Sequence, residues 1–454
     1  MTVLENSGGG PAQRAPGHSV APPRTATEPR DLLKWFDLVW TAVAMGALLM
    51  VFQLGSTAAL TIVLALPVYA FVRYRRLPRL LLSILPILLL PTFAMMSTLW
   101  SVAPGLTLYY GFQYLLTVAI GATIGAGIDR RQALFGLFLA FAGYAVISLL
   151  FGQEVGWGGG GASGITTAFS GISGSKNTAA DSAAIGLLIS LAIVVAMLRE
   201  RTWPIAALAA TIVAIDGWIL RNAESTGALV ACGLASIAML GWSVARLLAA
   251  STRTAIFIII GVAVGLAAAL QSLWLQPLIA ATLLATGKDP TLTGRTYIWD
   301  RGYRLIEARP MLGLGYNAFW RHGNIEAEGL WQFAGITSRT GFNFHNTFIE
   351  IMVHLGIVGL ALYAVVIVSL FVIQIIRTMR SPTDISVLFC TYLSYVAVRV
   401  SIETQAFGPF AYSTAMIMAG LACAVWRPEI TGSFALETPR AVLRWRGDQP
   451  ATTG

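Results

Sequence analysis

The chain has 454 residues, 56% of them hydrophobic and only 11% charged, with a mean hydropathy of +0.72 and a formal net charge of +9. Soluble domains carry roughly 25% charged residues, so a soluble globular protein is excluded and a membrane protein is indicated. The basic excess is then a topology signal first. No RNA- or DNA-binding motif accompanies it, so nucleic acid is not among the expected partners.

Residues 1–33 are rich in Pro, Gly, Ala and Arg and lack an apolar run. They read as a disordered cytoplasmic tail, not as a cleavable signal peptide with its short apolar core. Crossing the hydrocarbon layer takes about 20 apolar residues. Twelve segments meet this, near 36–53, 57–72, 80–99, 107–126, 133–151, 178–198, 204–220, 225–245, 254–273, 346–376, 385–402 and 409–426. The predicted fold is an all-α integral membrane protein with about twelve spans and one long outer loop that carries an amphipathic helix. Spans one to nine occupy 34–273, with a glycine-rich outer loop at 152–177. The long loop is 274–345, spans ten to twelve occupy 346–426, and 427–454 form a second cytoplasmic tail.

Placing the N-terminus inside and alternating the loops puts 20 of the 30 basic residues on the cytoplasmic side, among them Arg73, Arg75, Arg76, Arg130, Arg131, Arg199 and Arg377. The short outer connections hold Lys176 and Arg221, and Arg399 lies near the outer end of the eleventh span. That bias is the positive-inside pattern. Cys232, Cys390 and Cys423 are an odd set inside apolar runs, which argues against a disulfide framework or a metal site.

The 72 residues from 274 to 345 far exceed an ordinary connection. Within them "GRTYIWDRGYRLIEARP" places Trp299, Tyr303 and Ile306 on one helical face and Arg301 and Arg304 on another, with Pro310 as the stop. "GLGY" at 313–316 lacks a strand–turn–helix context and reads as a turn.

Charges gather at the outer level. Lys176 and Asp181 stand at the entrance of the sixth span, Arg221 and Glu224 between the seventh and eighth, and Arg399 and Glu403 one helical turn apart. Arg295 opens the amphipathic helix, and "NFHNTFIEIMVHLG" (343–356) brings His345, Glu350 and His354 to the tenth span. Pairing within Arg399–Glu403 and Glu350–His354 is one account of them. A ring of cations suited to phosphate oxygens is the other. His345, beside Asn346 as an expected N-cap, is the candidate general base. Without an Asp-x-Asp pair, a His-Glu-x-x-His helix or a Walker loop, the sequence does not indicate metal- or nucleotide-driven chemistry.

"TGRTYIWDRGYRLIEARPMLGLGYNAFW" (293–320) and "HNTFIEIMVHLGIVGLALY" (345–363) resemble the signature region of the bacterial O-antigen ligase and polymerase superfamily. "SGSKNTAADSAAIGL" (173–187) resembles the Lys-Asn segment of its exopolysaccharide polymerase branch, and "STLWSVAPGLTL" (97–108) the family's early loop. The resemblance implies a glycosyltransferase of the bacterial inner membrane that works on the periplasmic face without metal or cofactor. Its substrate would be an oligosaccharide on undecaprenyl pyrophosphate, with membrane lipids, a chain-length regulator and export machinery as further partners. It maps His345 to the base and Arg295 to the loop arginine; with the charges at the outer level, Arg221 is expected to join them in catalysis, and Lys176, Asn177, Arg399, Asn346 and Glu350 to bind pyrophosphate or glycan. Where many members have Ser followed by Arg or Lys, this chain has "ESTG" at 224–227, and Arg221 is the substitute charge. The expectation is a polymerase of lipid-linked repeat units, against a ligase that delivers the glycan to lipid A–core. A lipid-linked glycan transporter is the rival from another class, and it would call for charges along a mid-membrane path and detectable halves.

Overall fold

The computed structural model describes residues 29–157, 166–286, 294–339 and 341–425. It is a multi-pass helical membrane protein. The first half runs through α1 (Pro29–Leu49), α2 (Val51–Leu54), α3 (Ser56–Val72), α4 (Leu77–Met96), α5 (Pro104–Ala126) and α6 (Arg130–Phe151). A two-stranded antiparallel hairpin follows, β1 (Gln153–Trp157) and β2 (Thr166–Gly171). Then come α7 (Lys176–Arg199), α8 (Trp203–Asn222), α9 (Thr226–Ala245), α10 (Ala250–Ala269) and α11 (Gln271–Thr286). The loop helices are α12 (Arg295–Ala308) and α13 (Ile325–Phe333), and the chain closes with α14 (Thr347–Arg380), α15 (Asp384–Arg399) and α16 (Tyr412–Ala422).

A helix coincides with each of the twelve apolar segments, and eight of the described helices are long and apolar enough to cross a membrane on their own. The cause is general: lipid offers no hydrogen bonds, so each apolar run satisfies its backbone internally. Several starts are capped by side chains, Asp129 accepting from the N–H of Arg131 at 3.0 Å and Thr383 and Ser386 closing a capping box. Where α5 meets α16, Gly121 and Gly125 lie flat against the Ala415 and Ala419 backbone, a small-residue stripe with no room for a Cβ.

Some boundaries differ from the sequence reading. The first helix begins at Pro29, inside the expected tail, whose residues 1–28 lie outside the described residues, as do 426–454. The ends of the glycine-rich loop pair as β1 and β2, because their alternating residues can form a ladder; residues 158–165 lie outside the description. The start of the long loop is helical, as α11. The amphipathic helix is present as α12, but its buried face is Ile298, Gly302 and Ile306, and Tyr303 is 55% exposed. Gly302 decides this: lacking a side chain, it lets Ile349 of α14 and Phe344 approach closely, which turns the neighbouring Ile298 inward.

The two ends of the bundle differ in chemistry. At one, ion pairs tie helix ends together: Arg131 with Glu200, Arg199 and Arg246 with Asp384, and Arg73 with Asp37. At the other, α12, α13 and their connections fold over the mouths of α5, α7, α14 and α15. The tenth apolar segment is broken there. Gly356 has φ +64°, and the carbonyls of Val353 and His354 accept instead from the N–H groups of Leu314 and Gly315, both at 2.9 Å. Beyond the break, the N–H of Ile357 donates to Pro310 O at 2.9 Å. The "GLGY" segment is therefore a backbone plug in a discontinuous helix, tolerated at that depth because it is enclosed by protein.

Candidate active site

A cavity of about 720 Å³ opens at the loop-covered end. Its walls come from the starts of α5 and α7, the broken part of α14, the turn after α15 and the segment 316–322. Early-loop residues help to place that last segment. The Ser97 hydroxyl accepts from the N–H of Tyr316 at 2.9 Å, and the Trp100 indole donates to Leu312 O at 2.8 Å. The quoted 97–108, 311–316 and 345–358 stretches thus meet in space although they are far apart in the chain.

His345 is not among the residues that line the cavity; it lies behind Glu403, which does. Its Nδ1 lies 2.9 Å from Glu403 Oε2, and the other carboxylate oxygen accepts from Arg295 Nη2 at 2.8 Å, while Arg295 Nη1 donates to Ile402 O at 2.8 Å. Burial raises the Glu403 carboxyl, but the charge and hydrogen bond of His345, then Arg295 and Arg399, outweigh it and hold it at about 2. Glu403 is thus a buried carboxylate clamped between a histidine and an arginine.

The backbone around His345 is fixed with similar care. The residue has φ +50°, a left-handed conformation that is costly for a side-chain-bearing residue. Its N–H donates to Asn343 Oδ1 at 2.7 Å, and Asn343 also accepts from the Thr404 hydroxyl at 3.1 Å. The peptide before it is pinned at both ends: Glu350 Oε2 accepts from Phe344 N–H at 2.8 Å, and Trp299 Nε1 donates to Phe344 O at 2.8 Å. After it, Asn346 caps α14 by accepting from Phe348 N–H at 3.0 Å and Ile349 N–H at 3.1 Å, and it donates to Ser401 O at 3.0 Å. These bonds hold the imidazole against Glu403 with its Nε2 making no hydrogen bond among the described residues, on a side chain that is 20% exposed.

Arg399 reaches the cavity from the end of α15. Its side chain is 3% exposed, and among the described residues its nearest carboxylate oxygens are those of Asp181 at 3.9 Å and Glu403 at 4.0 Å and its buried Nε has no hydrogen-bond partner. Asp181 is instead bonded to the hydroxyls of Tyr395 at 2.7 Å and Tyr412 at 3.4 Å. The regular helix ends at Arg399, a last turn is closed by Glu403 N–H donating to Arg399 O at 2.9 Å, and the Glu403 carboxylate is bonded to His345 and Arg295 rather than to Arg399. That is why an i,i+4 pair expected on one helix face is the loosest contact of this group.

The other expected site residues divide. Asn177 and Glu350 line the cavity together with Arg399. Lys176 and Ser175 start α7 beside it, and Asn346 acts as the cap described above. Arg221 does not reach this group: its side chain is 73% exposed, and it faces Glu224 at 3.7 Å from the end of α8. Sequence reasoning placed Glu403 next to Arg399 but missed its tie to His345, because 58 residues separate the two. It also gave His354 no partner from the loop, whereas Nδ1 of His354 accepts from Asn317 N–H at 2.7 Å.

Residues 211–364 match the family model described as O-antigen ligase. The chain is also 35% identical over 292 residues to the exopolysaccharide production protein ExoQ of Rhizobium meliloti (strain 1021). That alignment spans 64% of this chain and 65% of the relative, a little under two thirds of the relative's length. Both similarities support a member of the O-antigen ligase and polymerase family. The family match contains α12, the helix break and His345, but it ends before Arg399 and Glu403. The clamp on His345 is therefore completed by residues beyond the matched segment.

Proposed function

We propose that the protein is a polysaccharide polymerase of the bacterial inner membrane, with both termini cytoplasmic and the active site facing the periplasm. It joins undecaprenyl-pyrophosphate-linked repeat units by metal-independent glycosyl transfer. The observation that carries this reading is the His345–Glu403–Arg295 arrangement, joined through Glu403 to a cavity that Arg399 also lines.

The acceptor hydroxyl oxygen attacks the anomeric carbon, and the bond from that carbon to the diphosphate oxygen breaks. The hydroxyl proton passes to His345 Nε2, the nitrogen that makes no hydrogen bond among the described residues. Glu403 accepts from Nδ1–H, which fixes the tautomer and stabilises the imidazolium that forms. Arg295 holds the carboxylate in register. The leaving diphosphate carries its negative charge into the field of Arg399, a fixed cation whose carboxylate contacts among the described residues are 3.9 and 4.0 Å long. Asn177, at the start of α7, offers a neutral donor on the same wall.

Polymerase is favoured over ligase by the Lys176–Asn177 segment and by the similarity to a protein of exopolysaccharide production. The ligase reading has the family description in its favour. The test is reconstitution in nanodiscs with lipid-linked repeat units and EDTA, reading polymer on a gel and free undecaprenyl pyrophosphate. Polymer from wild type without lipid A–core, and none from a folded His345→Ala, is the expected result. Product only when lipid A–core is added means a ligase. Equal turnover by His345→Ala removes the base, and no turnover by wild type with either acceptor overturns glycosyl transfer.

A further inference from the structure

A second arginine on the cavity wall has no role in the reaction just described. Arg321 lies on the loop side, its Nε buried without a hydrogen-bond partner, and among the described residues no carboxylate comes within 4.0 Å of it. The neighbouring acid Glu328 does not neutralise it. Glu328 is taken by Arg339 at 3.1 Å and by the N–H of Gly323 at 3.1 Å. Nor is Arg321 a loosely hung side chain. Its own N–H donates to Phe319 O at 2.9 Å, the Asn324 side chain donates to Phe319 O at 2.8 Å, and the preceding Trp320 is tied by its indole N–H to Glu350 at 3.0 Å.

The surroundings of Arg321 are aromatic. Trp320 and Trp331 lie with ring centroids 6.0 Å apart, and His322 lies 5.8 Å from Trp331. All three rings line the cavity, and the buried Trp331 indole N–H also lacks a partner among the described residues. Trp320, half-buried, and His322, exposed, offer ring surface to the C–H side of a pyranose, with the buried Trp331 packed behind them. A guanidinium fork matches a carboxylate through two parallel hydrogen bonds.

We propose that Arg321, with Trp320, Trp331 and His322, forms a subsite for a carboxylate-bearing sugar of the glycan, separate from the diphosphate site at Arg399. The inference rests on the reading that this cavity takes a lipid-linked glycan, and it names the class: an acidic saccharide. Arg399 projects from the bundle and Arg321 from the loop, so one bound molecule presents two anionic groups to two cations on different walls. Phosphate on the glycan has the same charge as a carboxylate and is separated from it by the test.

The experiment is titration calorimetry on the full chain in nanodiscs with three probes: trigalacturonate, its fully methyl-esterified form, and inorganic pyrophosphate. Wild type should bind the acid roughly tenfold more tightly than the ester, as a charge-assisted pair implies. Arg321→Gln should remove that preference while pyrophosphate affinity stays within about twofold, and pyrophosphate should fail to displace trigalacturonate from wild type. Equal binding of acid and ester overturns the proposal, as does a preference that survives in Arg321→Gln. Displacement of trigalacturonate from wild type by pyrophosphate makes this a phosphate site and overturns it too. The displacement measurement uses wild type alone, so it decides even where the variant fails to fold. Binding is read without turnover, so failure of the polymerase reading and failure of this subsite give different results.

Discussion

Glu403→Gln removes one negative charge and keeps the shape of the side chain. Its carboxyl is held at about 2 against an ordinary 4.5, and at ~1.4 kcal/mol per pH unit the folded surroundings favour the carboxylate by ~3 kcal/mol. Because the folded value is depressed, this stabilisation is complete above pH 4.5 and is lost as pH falls from 4.5 towards 2. Two results follow. Turnover should fall by roughly 10²- to 10⁴-fold at neutral pH with little change in KM, since the amide no longer stabilises the imidazolium. In thermal melts, wild type should lose stability between pH 5 and pH 3, and the variant should lose less over the same interval. Glu403→Asp should recover part of the activity if the carboxylate still reaches His345. Wild-type turnover in Glu403→Gln, with an unchanged acid dependence of melting, would refute the argument that this carboxylate orients the base.

Three further substitutions separate parts of the site. Arg399→Gln should weaken donor binding, raising KM for the lipid-linked substrate by at least about tenfold, because Arg295 beside it is already engaged by Glu403 and Ile402 O; an unchanged KM would move the diphosphate elsewhere. Arg221→Ala, at a side chain 73% exposed and outside the cavity, should leave turnover within about twofold and stability within about 0.5 kcal/mol; a large loss would restore its catalytic assignment. Gly356→Ala puts a Cβ against the Met311 carbonyl at a residue of φ +64°, so a loss of at least ~2 kcal/mol, seen as a lower melting temperature or poor yield, is expected. Normal yield and melting would mean that the plug in α14 adapts readily.

Much of this molecule is written locally. Each of the twelve apolar runs forms a helix because an unbroken apolar segment in lipid has no other way to satisfy its backbone. The Asn346 cap, the stop at Pro310 and the basic clusters at alternate helix ends are also short-range signals, readable within a few residues. The sequence likewise placed His345, Arg295 and Arg399 near one face, since chain order alone assigns each helix end to a side. The pairings among them were not available from it. His345 meets Glu403 across 58 residues, and this happens because α15 ends at Arg399 and the following turn is stitched to Thr347, whose hydroxyl donates to Glu403 O at 2.8 Å. The role of "GLGY" was equally hidden, since an isolated turn and a plug in a broken helix have the same local pattern and differ only in what lies opposite. Arg221 shows the converse: its position in the chain suited the cavity, but the end of α8 points its side chain away. Hydrophobic period and charge fix elements and sides, because they act along one segment. Which charged group faces which is settled by how the segments pack, and only the tertiary structure carries that.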